Sequence, residues 1–369
     1  MKKNGRMALV LALTCALLAG CSGGKTQGNT TAETAQGKAD SVQTGKAAGE
    51  AGGNTENVET SENSTNTEDT TKAEHTEGGR TFAVVVHSTQ STYWQTLNSG
   101  AEAAAKESGD SIYFTAPING GSDINGQVDV MQNCINQGVD GILLAAADVD
   151  ALVPITEQAI DKGIPVVVVD CGLNTDKYES SIATNNRAAA EELAKKVAED
   201  IGEEGEVAVM NYAAGMLTGS LREDGFREAM AAYPNITLLE TQYYNNDTQK
   251  ALEVSQNLLT ANPNLKAIYA TNEFGIVGAC RALMEKKIDT VNVYGFDFSD
   301  DVLPLLESGI CKGTMVQKPY DMGYKGVETL VKVLAGEAVE KDIDSGCVVA
   351  TPENYLDEDI YQVLYPMGK

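Results

Sequence analysis

Histidine is almost missing from this chain. There are two in 369 residues, and one of them, His75, falls in a polar stretch, leaving His87 alone in the apolar-patterned body. One histidine cannot build a His-rich metal site, and it leaves little for Ser-His or Cys-His catalysis. No nucleophile-elbow motif stands in for it. Cationic side chains are also scarce: Lys and Arg total 27 against 53 acids, for a net charge of −26. Most of that excess lies in the body. A surface so acidic is repelled by nucleic acid and by anionic lipid headgroups, so a neutral ligand suits it best. The five body cysteines, Cys134, Cys171, Cys280, Cys311 and Cys347, show no C-x-x-C spacing and are odd in number. They read as small core residues rather than a disulfide framework or metal site. No cofactor motif is present. Trp94 is the single tryptophan.

What is there begins at the first residues. Lys2, Lys3 and Arg6 precede an apolar run from Met7 to Ala19 that is too short to span a membrane comfortably. The run ends in Leu18-Ala19-Gly20-Cys21, which resembles the lipobox of bacterial lipoproteins. Residues 1–21 are therefore expected to be a lipoprotein signal. The resemblance implies lipidation of Cys21, which would hold the mature chain on the outer side of the cell membrane. Residues 22–79 are rich in Thr, Gly, Glu, Asn and Ala, with Val42 and Val58 as the only large apolar residues. Such a segment cannot offset its ordering entropy and is expected to be a disordered tether.

From residue 80 onward, short β-branched runs alternate with helical periodicity. Phe82–Val86, Ile142–Leu144, Val166–Val169, Val207–Met210, Ala267–Ala270 and Val291–Tyr294 read as strands. Their continuous apolar character means burial on both faces, as in parallel sheets. Tyr93–Ser108 reads as a helix, as does the apolar face of Val327, Leu330, Val331 and Leu334. The alternation predicts a doubly wound α/β fold with too many strands for one sheet of ordinary size, hence two lobes. In such sheets ligands bind at the carboxyl ends of strands. Polar and aromatic residues recur there: Ser91, Tyr93 and Trp94 after the first strand, Asp170 after Val169, Asn272 after the Ala267–Ala270 strand, Phe296 and Asp297 after Tyr294, and Gln317 after Val316. Carboxylates and amides at several strand tips suit a ligand rich in hydroxyls, and aromatic faces suit the C–H face of a sugar ring. Taken singly, Asp170, Asp297 and Asn272 read equally well as helix caps.

In order and spacing, Tyr93-Trp94-x-x-Leu97-x-x-Gly100-Ala101, Gly141-Ile142-Leu143-Leu144, Gly163-Ile164-Pro165-Val166 leading to Asp170, Asn272-Glu273, Gly295-Phe296-Asp297 and Gln317 resemble the periplasmic sugar-binding proteins of the ribose/galactose type. The resemblance covers Arg80 to about Tyr361. It implies two lobes with parallel sheets joined by a three-segment hinge, the type I periplasmic-binding-protein fold. Lobe one is then 80–184 plus 318–346, and lobe two 185–317 plus 347–369. It further implies stacking by Tyr93 and Trp94, a wall at Phe296, a polar contact at Ser91, and hydroxyl binding by Asp170, Asn272, Asp297 and Gln317. The implied protein is not an enzyme. It is a monomeric substrate-binding lipoprotein that hands a sugar or polyol to a membrane ABC permease, with sensor-kinase or chemoreceptor coupling, or a nucleoside ligand, as alternatives. Three positions depart from the family pattern. Cys171 and Ser220 stand where arginines that contact simple aldoses are usual, and Asn246 stands where an aromatic is usual. Arg222 matches an arginine without a ligand role. A polyol, an inositol or a modified sugar fits these departures as well as an aldose does.

Overall fold

Alternate residues of the first strand enter two different cores, because side chains of a strand point to opposite faces in turn. In β1 (Thr81–Val85), Phe82 and Val84 join one core while Ala83 and Val85 join another. The same division runs through β3 (Gly141–Leu144) and β4 (Val166–Val169). A sheet buried on both faces needs helices on both, and most of the connections supply one. The computed structural model describes residues 79–120 and 123–368. The expected signal, the lipid site at Cys21 and the tether up to residue 78 lie outside them.

The first sheet has the order β12-β5-β4-β3-β1-β2, with β2 (Ser111–Thr115), β5 (Ser180–Ala183) and β12 (Asp342–Asp344) completing it. All its pairings are parallel. Its helices are α1 (Thr92–Ser108), α2 (Ile124–Gln137), α3 (Val153–Asp161) and the late-arriving α9 (Pro319–Leu334). The chain then makes α4 (Asn186–Asp200), β6 (Glu204–Asn211), α5 (Leu217–Met230), β7 (Asn235–Leu238), β8 (Gln242–Tyr243), α6 (Thr248–Ala261), β9 (Leu265–Ala270), α7 (Glu273–Lys286), β10 (Asn292–Phe296), α8 (Leu303–Glu307) and β11 (Cys311–Gln317). β13 (Cys347–Ala350) and α10 (Glu358–Leu364) finish it. The second sheet runs β13-β11-β10-β9-β6-β7, with β8 beside β6. It is parallel except where β13 returns antiparallel to β11. The chain thus passes between the sheets three times: after β5, after β11 and between β12 and β13.

Helix α9 is held to the first lobe by close backbone approach. A β-carbon on Gly100 of α1 would lie 2.0 Å from the Tyr320 carbonyl oxygen, and one on Gly323 of α9 would lie 1.9 Å from that of Leu97. Only glycines permit this seam, and it brings the stretch after β11 back against the start of α1. Among the described residues the cysteines are free: Cys134, Cys280 and Cys311 are buried, as expected of core residues. Cys171 and Cys347 are half-buried instead, because each sits in a loop or edge strand beside the inter-lobe crossings.

Candidate functional site

The carboxyl ends of the first sheet's strands carry a compact polar cluster. Ser91 occupies the N-cap position of α1, where its carbonyl accepts the Gln95 N–H at 3.0 Å but its side chain caps nothing. Tyr93, in the first turn, donates its hydroxyl to Asp170 Oδ1 and lies 3.7 Å from Met322 Sδ on α9. Asp170 follows β4 with a left-handed backbone, φ 63°, a conformation uncommon outside glycine. Its Oδ2 accepts the Cys171 thiol at 2.9 Å, and that sulfur is 3.9 Å from His87 Nε2. Burial, then the neighbouring Asp170 charge, pushes both the Tyr93 hydroxyl and the Cys171 thiol well above their ordinary pKa. Both therefore stay protonated as donors to the carboxylate. Burial lowers the His87 pKa against the pull of Asp170.

Trp94 departs from its expected role. It is 8 % exposed and packs into the first-lobe core with Phe82 and Leu97. Its ring meets Tyr93 edge-on at 4.9 Å and His87 at 4.8 Å. Successive helical residues point about 100° apart; here Tyr93 lines a cavity and Trp94 packs behind it.

In the second lobe the organising group is Arg222 on α5, a residue that sequence comparison left without a role. Its guanidinium is buried. Nε donates to Asn186 Oδ1 at 2.7 Å, and one terminal nitrogen donates to the Thr271 carbonyl at 2.8 Å and to Asp297 Oδ2 at 3.2 Å. It lies 4.4 Å over the ring of Phe296. Burial opposes its charge, but Asp297, Tyr212 and Asp170 outweigh that and raise its pKa. Asp297 follows β10 with φ 75°, and its Oδ1 accepts Gln317 Nε2 at 2.6 Å. Neither Asp170 nor Asp297 caps a helix. Asn272 does cap α7: its Oδ1 accepts the Gly275 N–H at 3.4 Å and the Tyr244 hydroxyl at 2.6 Å, and its Nδ2 donates to Asn246 at 2.6 Å. Phe296 is corrected in the same way as Trp94. It has no exposed surface and packs with Tyr269, so it supports Arg222 rather than forming a wall.

The two clusters face each other. Asp170, in the first lobe, acts on Arg222 in the second, and Tyr93 feels Asp297 as well as Asp170. The lobes touch where Leu217, at the start of α5, covers Gly172: a β-carbon there would lie 2.8 Å from Leu217 Cδ2. Beside Tyr93, Asp297 and Gln317 lies a cavity of about 150 Å³. Among the described residues no group of three His, Cys, Asp or Glu side chains is placed to hold a metal ion. Nor does any described helix have the length and apolarity to cross a membrane.

Two parallel-sheet lobes with half-buried carboxylates, buried amides and one buried arginine converging from both define a two-lobed solute-binding protein. The profile of the periplasmic binding protein domain matches residues 82–338, and the chain belongs to that family. It is 31 % identical over 260 residues to the ribose import binding protein RbsB of Escherichia coli (strain K12), covering 70 % of this chain and 86 % of that one. It is also 31 % identical over 260 residues to the D-allose-binding periplasmic protein of the same organism, covering 68 % and 83 %. Among solved structures, an ABC transporter solute-binding protein from Agrobacterium vitis with bound D-fucose is 38 % identical, with a TM-score of 0.72 over 77 % of this chain and all of that one. These relatives are binding proteins, and the chain is a binding protein rather than an enzyme.

Proposed function

We propose that this chain is the extracytoplasmic substrate-binding lipoprotein of an ABC importer, and that it captures a sugar or sugar-like polyol by closing its lobes. The lobes that move are residues 80–184 with 318–346, and 185–317 with 347–369. The observation that carries the reading is the opposition of Asp170 with Tyr93 in one lobe to Asp297 with Arg222 and Gln317 in the other. Carboxylates accept from sugar hydroxyls in charge-assisted bonds, while the guanidinium and amide donate to ring or hydroxyl oxygens. Ser91 and Asn272 complete the polar rim, and Tyr93 offers the aromatic face. A ligand that bonds to both sets shifts the balance to the closed form by its differential affinity for it.

The relatives that bind ribose, allose and fucose support the ligand class. The run ending at Cys21 supports the anchor, and the residues up to 79 supply a tether. The closed monomer would then be what the permease recognises. Calorimetric titration of sugars and polyols tests the reading: binding is expected for at least one, with loss in Asp297→Ala. A folded protein that binds none of them, D-ribose, D-allose and D-fucose included, would overturn it.

A further inference from the structure

Beyond the hydroxyl-binding set, the cavity of about 150 Å³ changes character. At one end it meets Tyr93, Asp297 and Gln317. Away from them its walls are mostly apolar: Phe298 and Val316 from the second lobe and Val363, Leu364 and Tyr365 from the C-terminal segment, with Ser299 and Asp300 as a polar edge and Thr96 of α1 closing it from the first lobe. The C-terminal wall is firmly placed. Ile360 and Leu364 of α10 are buried in the second-lobe core. The Tyr365 N–H donates to the Tyr361 carbonyl at 2.9 Å, and the Tyr365 ring meets Phe298 edge-on at 5.7 Å.

We propose that this annex takes a ring-sized apolar substituent carried on the sugar, so that the preferred ligand is a glycoside or similar conjugate rather than a free monosaccharide. The inference rests on the sugar-binding reading above and deepens it. A sugar hydroxyl pushed toward Val316, Val363 and Leu364 would give up water for few partners, which is costly. An apolar group there buries its surface at a gain. The size sets a ceiling: the whole cavity, polar end included, is about 150 Å³, the volume in which a benzene ring fits, so the annex takes a substituent no larger than one ring. With its walls drawn from α1 on one lobe and α10 on the other, the annex is assembled with the cleft, so an aglycone in it would favour closure.

Calorimetry on the full-length protein tests this, using methyl and phenyl β-D-glycosides of fucose, galactose, glucose and xylose beside free D-ribose, D-allose and D-fucose. For the sugar that binds, the phenyl glycoside is expected to bind at least tenfold tighter than the methyl glycoside. Val363→Trp, which fills the annex, is expected to abolish that difference and leave methyl glycoside affinity within about twofold. Thr96→Phe fills it from the opposite wall and serves if the first variant does not fold. Methyl and free sugars that bind, and are lost in Asp297→Ala, while phenyl glycosides bind no tighter, would overturn the annex and leave the sugar reading standing. A phenyl preference that survives both filling variants would also overturn it. Binding of no sugar or glycoside would overturn both.

Discussion

Asp170 and Asp297 close strands of different lobes with the same left-handed backbone, φ 63° and φ 75°. Each turns its carboxylate back to a donor of its own lobe, Tyr93 for the first and Gln317 for the second. A non-glycine residue held there stores strain of order 1 kcal/mol, which persists when surrounding bonds over-determine it. The two positions differ in one respect: only Asp297 pairs directly with a buried cation, Arg222. Asn tolerates the left-handed region and keeps the shape of Asp. Asp170→Asn is therefore expected to cost little stability and to weaken ligand binding about tenfold or more, through lost charge-assisted bonds. Asp297→Asn is expected to weaken binding similarly and also to destabilise by about 2–4 kcal/mol, since it leaves a buried guanidinium without its counter-charge. Denaturant titration beside calorimetry reads both quantities. Equal stability loss in the two variants would contradict the special status of the Arg222 pair.

Glu273 begins α7, where a helix N-terminus favours an anion. Burial works against the charge, Asp297 and Asp301 add to that, and only the Ser299 hydrogen bond opposes them. The outcome is a pKa raised to about 7. In the folded chain the proton is therefore held across the window from about 4.5 to about 7, whereas the unfolded chain has released it. The folded state binds more protons there, so stability falls as pH rises through the window and the penalty is complete above it. Glu273→Gln is expected to be more stable than the parent at pH 8 by up to about 3 kcal/mol, with no gain at pH 4. Thermal melts at the two pH values check this. A variant whose stability relative to the parent is the same at both pH values would show that folding does not raise the Glu273 pKa.

The seam between α1 and α9 makes a separate, structural prediction. Because the β-carbon of Gly100→Ala would meet a carbonyl oxygen at 2.0 Å, neither side can yield without moving a helix. The expected loss is about 1–3 kcal/mol or more, as for other overpacked cores, read as a lower urea midpoint. Gly109, at the end of α1, has open space around it and φ 75°, so Gly109→Asn is expected to change stability by well under 1 kcal/mol.

How much of this was legible in sequence depends on what each residue's surroundings require. Val166–Val169 announces itself because all four side chains are buried, two to each core. β2 does not, since it is an edge strand with every residue half-buried and polar ends. β12, Asp-Ile-Asp, pairs with β5 and turns a single apolar side chain, Ile343, to the core, too short a pattern to read as a strand. At the site, the strand-tip positions of Asp170, Asp297 and Gln317 followed from alternation alone. The direction of a ring did not: Trp94 and Phe296 are buried behind Tyr93 and Arg222, and neither burial is visible in the strand-tip pattern. A signal for Arg222 was present: it shares a helical face with Gly219 and Phe226, spaced three and four residues away, and all three are buried. An arginine on an apolar face must have a buried partner, and a carboxylate at a strand tip was the available one.

Gly172 and Leu217 offer the most direct test of closure, because they touch across the lobes and neither belongs to the hydroxyl-binding set. Leu217 is 41 % exposed and its Cδ2 would lie 2.8 Å from a β-carbon at residue 172. The end of a flexible side chain can swing aside for a methyl group, so Gly172→Ala is expected to change ligand affinity little. Phenylalanine cannot be accommodated so cheaply with the lobes together, and it disfavours only the closed form. Gly172→Phe is therefore expected to weaken binding roughly 10- to 100-fold, in line with an overpacking cost of about 1–3 kcal/mol, while the melting temperature without ligand stays near that of the parent. Apparent affinity falls by the fraction of molecules able to close. Leu217→Ala in the same chain removes the obstruction and should restore most of the affinity. A coupling above 1 kcal/mol in that double-mutant cycle is the expected sign of a direct contact in the closed state. Additive losses would mean that the two residues do not meet when ligand is bound.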